Sequence, residues 1–184
     1  LASLVVSETV LKPHCAAAET VKADSEAESR GTPDFKSQVV RNAAGSFVRS
    51  ETPTDGHCLY RSAAEVMVGD QSGWSQMRWK TAEWLKANWD RMNPSYTLSK
   101  KKVMNAVKFG AAMHMNKGKV KVAPAWAWGG EQELIAVAES MGITVMVHCS
   151  RHGNVHSYGS GVETKWIYFD DVRQHYEAMH MVGE

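Results

Sequence analysis

Asp55-Gly56-His57-Cys58-Leu59-Tyr60-Arg61-Ser62 joins a turn, a lone cysteine and the start of an apolar helical face in one short stretch. Pro53-Thr54-Asp55-Gly56 reads as the turn. From Cys58 to about Val68 apolar residues recur at helical spacing, with Leu59, Ala63 and Val66 in line and Met67 alongside. Gly69 is placed to close that helix from its C-terminal side. The turn therefore delivers Cys58 to a helix start, where unpaired backbone N–H groups and the helix dipole favour the thiolate. The same N–H groups can hold an oxyanion when a thiolate adds to a carbonyl. Gly56 allows close backbone approach there. A small buried core cysteine fits the same placement, so placement by itself leaves both readings open.

Outward from this stretch the chain alternates helix and strand signals. Trp74, Met77, Thr81, Leu85 and Trp89 lie roughly one turn apart, and Pro94 ends that helix. Tryptophans at 74, 79, 84 and 89 recur every five residues, which walks around a helix, so they read as packing residues. A third helix is expected over 98–115, with Lys100-Lys101-Lys102 on a solvated face, and Lys117, Lys119 and Lys121 alternate as an exposed edge strand does. Gly129-Gly130 precede a helix whose Leu134, Ile135, Val137, Ala138 and Met141 share a face, with Gly142 as its cap. Ile143 to Val147 is a buried strand and Lys165 to Phe169 a second strand, and the stretch from Ser150 to Gly161 suits a hairpin or mobile loop. The pattern argues for an α+β sandwich.

Towards the N-terminus, Phe47-Val48 is a core-entry segment. The first residues are rich in Ala, Ser, Thr and Glu without aromatics, so residues 1–34 are expected to form a flexible tail or linker and 35–184 the compact domain. The first residue is Leu rather than Met, which reads as a fragment of a longer polypeptide. A net charge of +1 gives no prior for nucleic acid or an acidic membrane surface. No apolar run approaches the roughly 18 residues that span a bilayer, and no signal peptide is visible. Cys15, Cys58 and Cys149 are an odd set without a C-x-x-C pair, a poor disulfide framework and a poor metal site. Reduced thiols in a cytosolic setting, with no cofactor or metal, are expected.

A cysteine nucleophile needs a base, and eight histidines are available. His57 adjoins Cys58, where the chain turns neighbouring side chains apart. His175 follows the second strand by a short connection, Asp170 to Gln174, and is expected at a rigid sheet edge. Spacing alone does not bring it to Cys58.

A resemblance supplies what spacing leaves open. Asp55-Gly56-His57-Cys58-Leu59-Tyr60 resembles the nucleophile motif of the ovarian-tumour (OTU) cysteine proteases. Trp128-Gly129-Gly130 with Glu133-Leu134 and Ala136 is similar to the family's second block, and Ile167-Tyr168-Phe169 followed by His175-Tyr176 to its third. Three blocks in order cover roughly residues 50 to 180. The resemblance implies a papain-type fold, a small central sheet between helical regions, and 35–184 as a catalytic domain. It implies that Cys58 attacks the carbonyl after the C-terminal glycine of ubiquitin, or of a ubiquitin-like modifier, and that His175 takes its proton. Asp55 would set the geometry of the oxyanion loop, and Gly56 with Trp128-Gly129-Gly130 would line the channel for the substrate's Gly-Gly end. Many members orient the histidine with Asn or Asp two residues on; here that position is Glu177, one methylene longer. Glu177, Asp170 or Asp171, or no third residue at all, are the alternatives. A viral or bacterial member acting in the host cytosol, as a monomer on ubiquitin conjugates, fits this reading. A viral polyprotein-processing protease of the same fold, and an inactive module that binds ubiquitin, are its competitors.

Overall fold

The computed structural model describes residues 39–92, 101, 105, 106, 109 and 122–183. The expected tail and the lysine-bearing edge strand lie outside them. Of the helix expected over 98–115, the described positions 101, 105, 106 and 109 are helical.

The chain enters through a hairpin, β1 (Val39–Asn42) and β2 (Gly45–Ser50). Asn42 Oδ1 accepts the Ala44 N–H at 2.8 Å, the local side-chain bond that suits asparagine to a tight turn. Helix α1 (Cys58–Val68) ends as its spacing predicts, with Gly69 left-handed at φ 76° and its N–H on Glu65 O. Asp70 then caps a short 3-10 turn, Gln71–Gly73, that leads into α2 (Trp74–Met92). Trp74, Met77, Arg78, Thr81, Ala82, Leu85, Trp89 and Met92 form the buried face of α2, whereas Trp79 is exposed. A further 3-10 turn, Ala125–Ala127, precedes α3 (Glu131–Met141). Glu133 accepts the Gly130 N–H at 3.0 Å, and Glu131 and Glu133 place negative charge at the positive end of the helix dipole. Gly142, left-handed at φ 66°, turns the chain into the sheet.

Strands β3 (Thr144–Cys149), β4 (Val155–Tyr158), β5 (Thr164–Asp170) and β6 (His175–Met181) complete a six-stranded sheet in the order β1-β2-β6-β5-β3-β4. Only β3 and β5 pair in parallel. The hairpin expected between Ser150 and Gly161 is present as β4 against β3. One expectation is corrected. His175 begins not a sheet edge but an inner strand, β6, which lies between β2 and β5. The stretch His-Tyr-Glu-Ala-Met-His-Met has no β-branched residue, so β propensity does not announce it.

Alternation in β6 sends Tyr176 and Ala178 into one apolar cluster with Ile167 of β5 and Val145 and Val147 of β3. Leu59, Tyr60 and Ala63 of α1 and Leu134, Val137 and Ala138 of α3 fill the same cluster. Each fully buried Leu, Ile or Val contributes about 1.5–3 kcal/mol. That packing seats the start of α1 beside the start of β6.

Candidate active site

Cys58 is the first residue of α1 and is half-buried. Its preceding turn is held by Asp55, whose Oδ1 accepts the His57 N–H at 3.0 Å. Arg61, one turn into the helix, grips the same carboxylate from Nη2 at 2.5 Å and Nε at 3.1 Å. Burial pushes the Asp55 carboxyl up, but Arg61 and the His57 N–H outweigh it and hold it below the ordinary carboxylate value. Asp55 therefore shapes the loop as an anion.

The turn is packed against a second loop. Ala123 N–H donates to Asp55 O at 2.7 Å, and Trp128 Nε1 donates to Ala123 O at 3.0 Å. Gly56 is left-handed at φ 77°, and a Cβ on it would sit 2.6 Å from Trp128 Nε1. A Cβ on Gly129 would sit 2.3 Å from Leu59 Cδ2. At Gly56 a side chain would also meet Ala123 O at 2.8 Å in a left-handed backbone, whereas at Gly129 it would displace the Leu59 side chain. Gly130 continues this loop as the N-cap of α3. Gly56, Trp128 and Gly129 thus meet where the nucleophile turn packs on the second loop, with Gly130 next in the chain, and Trp126 and Trp128 are exposed.

His175 is buried and enters β6 from a turn in which Gln174 is left-handed at φ 52°. Its Nε2 lies 3.1 Å from Thr52 O and 3.0 Å from Thr52 Oγ1. A carbonyl only accepts, so Nε2 carries a proton, and in the neutral ring Nδ1 then holds the basic lone pair. Thr52 Oγ1 spends its own hydrogen on Tyr176 O at 2.6 Å, which leaves it an acceptor towards the ring. The backbone N–H of Tyr176 in turn bonds the Cys58 sulfur. Adjacent residues of one strand therefore carry the ring and touch the thiol.

Two expectations change here. Glu177 is not the ring's partner: its buried carboxylate meets Arg173 Nη2 at 2.9 Å and Arg49 Nη1 at 3.4 Å. Strand alternation does set it on the same face as His175. The arginines, however, claim the carboxylate, and the ring turns to Thr52. Asp170 also bonds Arg173, and Asp171 bonds Ser150, so neither acidic residue of the turn orients the ring. The second change concerns the thiol. Burial pushes the Cys58 thiol above its ordinary value, and the N–H groups of Tyr176 and Leu59 only partly offset this. A helix start alone does not make this cysteine a resting thiolate.

Two residues of the site escape sequence reading. Thr52 stands outside the turn motif and meets His175 only because β2 runs beside β6, with Ser50 opposite Ala178. Arg78 looks like an ordinary polar position on α2, yet it is buried and reaches His57 Nδ1 at 3.2 Å. Among the described residues no group of His, Cys, Asp and Glu is arranged to hold a metal ion, and no helix is long and apolar enough to cross a membrane.

A family model described as OTU-like cysteine protease matches residues 53–178. No curated protein sequence matches the chain. Among solved structures, the OTU domain of OTUD1 is 19% identical, with a TM-score of 0.53, and the match covers 73% of this chain and 85% of that one. The viral OTU domain protease from Dera Ghazi Khan virus is 19% identical with a TM-score of 0.52, covering 74% and 81%. The Hazara virus OTU, solved bound to ubiquitin, is 14% identical with a TM-score of 0.55, covering 82% and 100%. At these identities the likeness concerns the fold.

Proposed function

The chain belongs to the OTU-like cysteine protease family, and from that premise we propose that it hydrolyses the isopeptide bond after the C-terminal glycine of ubiquitin. Ubiquitin enters through the family and through the ubiquitin-bound OTU structures to which the fold is similar. Residues 35–184 form the catalytic domain in this reading.

The observation that carries it is the pairing at the head of β6, where His175 is anchored by Nε2 while the next backbone N–H bonds the Cys58 sulfur. Nδ1 takes the thiol proton as sulfur attacks the carbonyl carbon of the terminal glycine. That transfer suits a thiol that rests protonated. The carbonyl electrons move onto oxygen, and backbone N–H groups of the Asp55-to-Cys58 turn hold the oxyanion. The intermediate collapses, the C–N bond breaks, and the lysine amine leaves with the proton from His175. Water, activated by the same Nδ1, then cleaves the thioester and frees Cys58. The seam of Gly56, Trp128, Gly129 and Gly130 admits only a narrow peptide, as a Gly-Gly terminus is.

Incubation with a ubiquitin bearing a C-terminal electrophile tests the reading. A covalent adduct mapped to Cys58, together with release of a fluorophore from a ubiquitin C-terminal amide, supports it. Binding of ubiquitin without adduct or hydrolysis would mark an inactive module instead.

A further inference from the structure

Arg78 is a fully buried cation with no carboxylate in direct contact among the described residues; the buried Glu133 acts on it only at longer range. Its guanidinium sits over the Tyr60 ring at 4.5 Å and the Phe109 ring at 5.3 Å, faces that suit a desolvated arginine. Its polar bonds point in two directions. Nη1 meets His57 Nδ1 at 3.2 Å, and Nη2 donates to Ala127 O at 2.5 Å. Arginine has no acceptor, so His57 Nδ1 must present its lone pair, and the ring is the neutral tautomer with its proton on Nε2. That ring is buried and stacks on Trp74 at 4.0 Å, which leaves it one orientation. The same bond removes His57 from contention as a base, although it adjoins Cys58.

The two groups that Arg78 joins belong to opposite walls of the site. His57 lies in the nucleophile turn, immediately before Cys58, and Ala127 immediately precedes Trp128 in the channel loop. Burying a cation here, with its Nε–H lacking a partner among the described residues, costs free energy that apolar packing would not. A planar fork is the group that can reach two acceptors at once; a lysine ammonium on a flexible stem cannot hold both in one plane.

We propose that Arg78 is a positioning residue that clamps the channel loop to the nucleophile turn. It keeps the oxyanion N–H groups and the path of the Gly-Gly terminus in register across the scissile bond. The inference rests on the reading of the site as a ubiquitin hydrolase and adds to it the part that holds the two walls together.

The test compares wild type, Arg78→Lys and His57→Phe in the full chain. His57→Phe keeps a ring on Trp74 and removes the acceptor. Turnover of a fluorogenic ubiquitin C-terminal amide is normalised to the Cys58 that iodoacetamide titrates, since that small reagent needs the thiol but neither wall. Both variants should lose roughly thirty- to a hundred-fold in kcat/KM through lower kcat and higher KM together, a loss typical of ångström-scale misplacement. Alkylation of Cys58 should stay within about twofold of wild type. Nitrogen NMR of the wild-type His57 ring should show protonated Nε2 and unprotonated Nδ1. Turnover per titrated Cys58 within about twofold of wild type in either variant, with KM unmoved, overturns the clamp, as does a proton on Nδ1. A wild type that shows the tautomer but cleaves no ubiquitin amide counts against the proposed function and not against the clamp. If both variants fail to fold, the NMR measurement decides alone.

Discussion

The ring of His175 is oriented by Thr52, through two acceptors on a single residue 123 positions earlier in the chain. Thr52→Val leaves the carbonyl and removes the hydroxyl, so the ring keeps one of its two bonds. Turnover should fall roughly five- to thirty-fold, an effect the size of one hydrogen bond to a group that becomes charged. Thr52→Ser should retain most of the activity. Equal kcat in Thr52→Val and wild type would remove the hydroxyl from the mechanism.

Glu177→Ala leaves two arginines without their buried carboxylate. Because Arg173 is half-exposed, the loss of stability should be about 1–3 kcal/mol rather than that of a fully buried pair. Turnover should drop roughly tenfold as the turn that presents His175 loosens. Arg173→Met should reproduce both changes. Thermal melts and initial rates decide it: a turnover defect in Glu177→Ala that Arg173→Met does not share points to a direct contact with the ring.

Burial holds the Cys58 thiol above its ordinary value in the free protein. Below that pKa the thiolate fraction, and with it the rate of iodoacetamide alkylation, rises about tenfold per pH unit. The rate should therefore still be climbing at about pH 8.5. A plateau already reached below about pH 7 means a standing thiolate–imidazolium pair, and the burial argument fails. The sign for stability is opposite. A raised thiol pKa favours the protonated form in the fold, so this contribution is fully present below the unfolded value and is lost as pH rises from there through the raised folded value.

Gly56→Ala combines a left-handed backbone, costing about 1–2 kcal/mol, with a Cβ driven into Trp128 Nε1. The channel loop must shift, and kcat/KM for the ubiquitin amide should fall roughly a hundred-fold. Iodoacetamide should still reach Cys58. Steady-state kinetics that match wild type would mean that the seam does not carry the substrate.

Removing residues 1–34 should leave both the melting temperature and ubiquitin cleavage unchanged, since that stretch has no Phe, Trp or Tyr and, after Leu11, only Val21 as a branched apolar side chain. A marked loss of either in the truncated chain would make it part of the domain.

The helices were legible because their signals are local. The apolar spacing from Leu59 to Val66 and the glycines at 69 and 142 state where α1 and α3 stop. Strands β3 and β5 were legible from their β-branched and aromatic runs. The head of β6 was not, because its burial comes from neighbours at both ends of the domain and not from its own composition. For the same reason the sequence points to Glu177, two residues away, as the third partner of His175. It lies on Thr52, which only the pairing of β2 with β6 brings near. The cysteine turn is a local feature; the histidine proposed as its base, and the threonine that aims it, are brought together by the assembled sheet.

The inner position of β6 ties the proposed chemistry to strands far apart in the sequence. Its partners come from residues 45–50 on one side and 164–170 on the other, and its own first residue is His175. On the proposed reading, a chain clipped before residue 175 lacks both the base and a strand against which α1 packs. Hydrolytic power on that reading therefore waits on the insertion of β6 between β2 and β5.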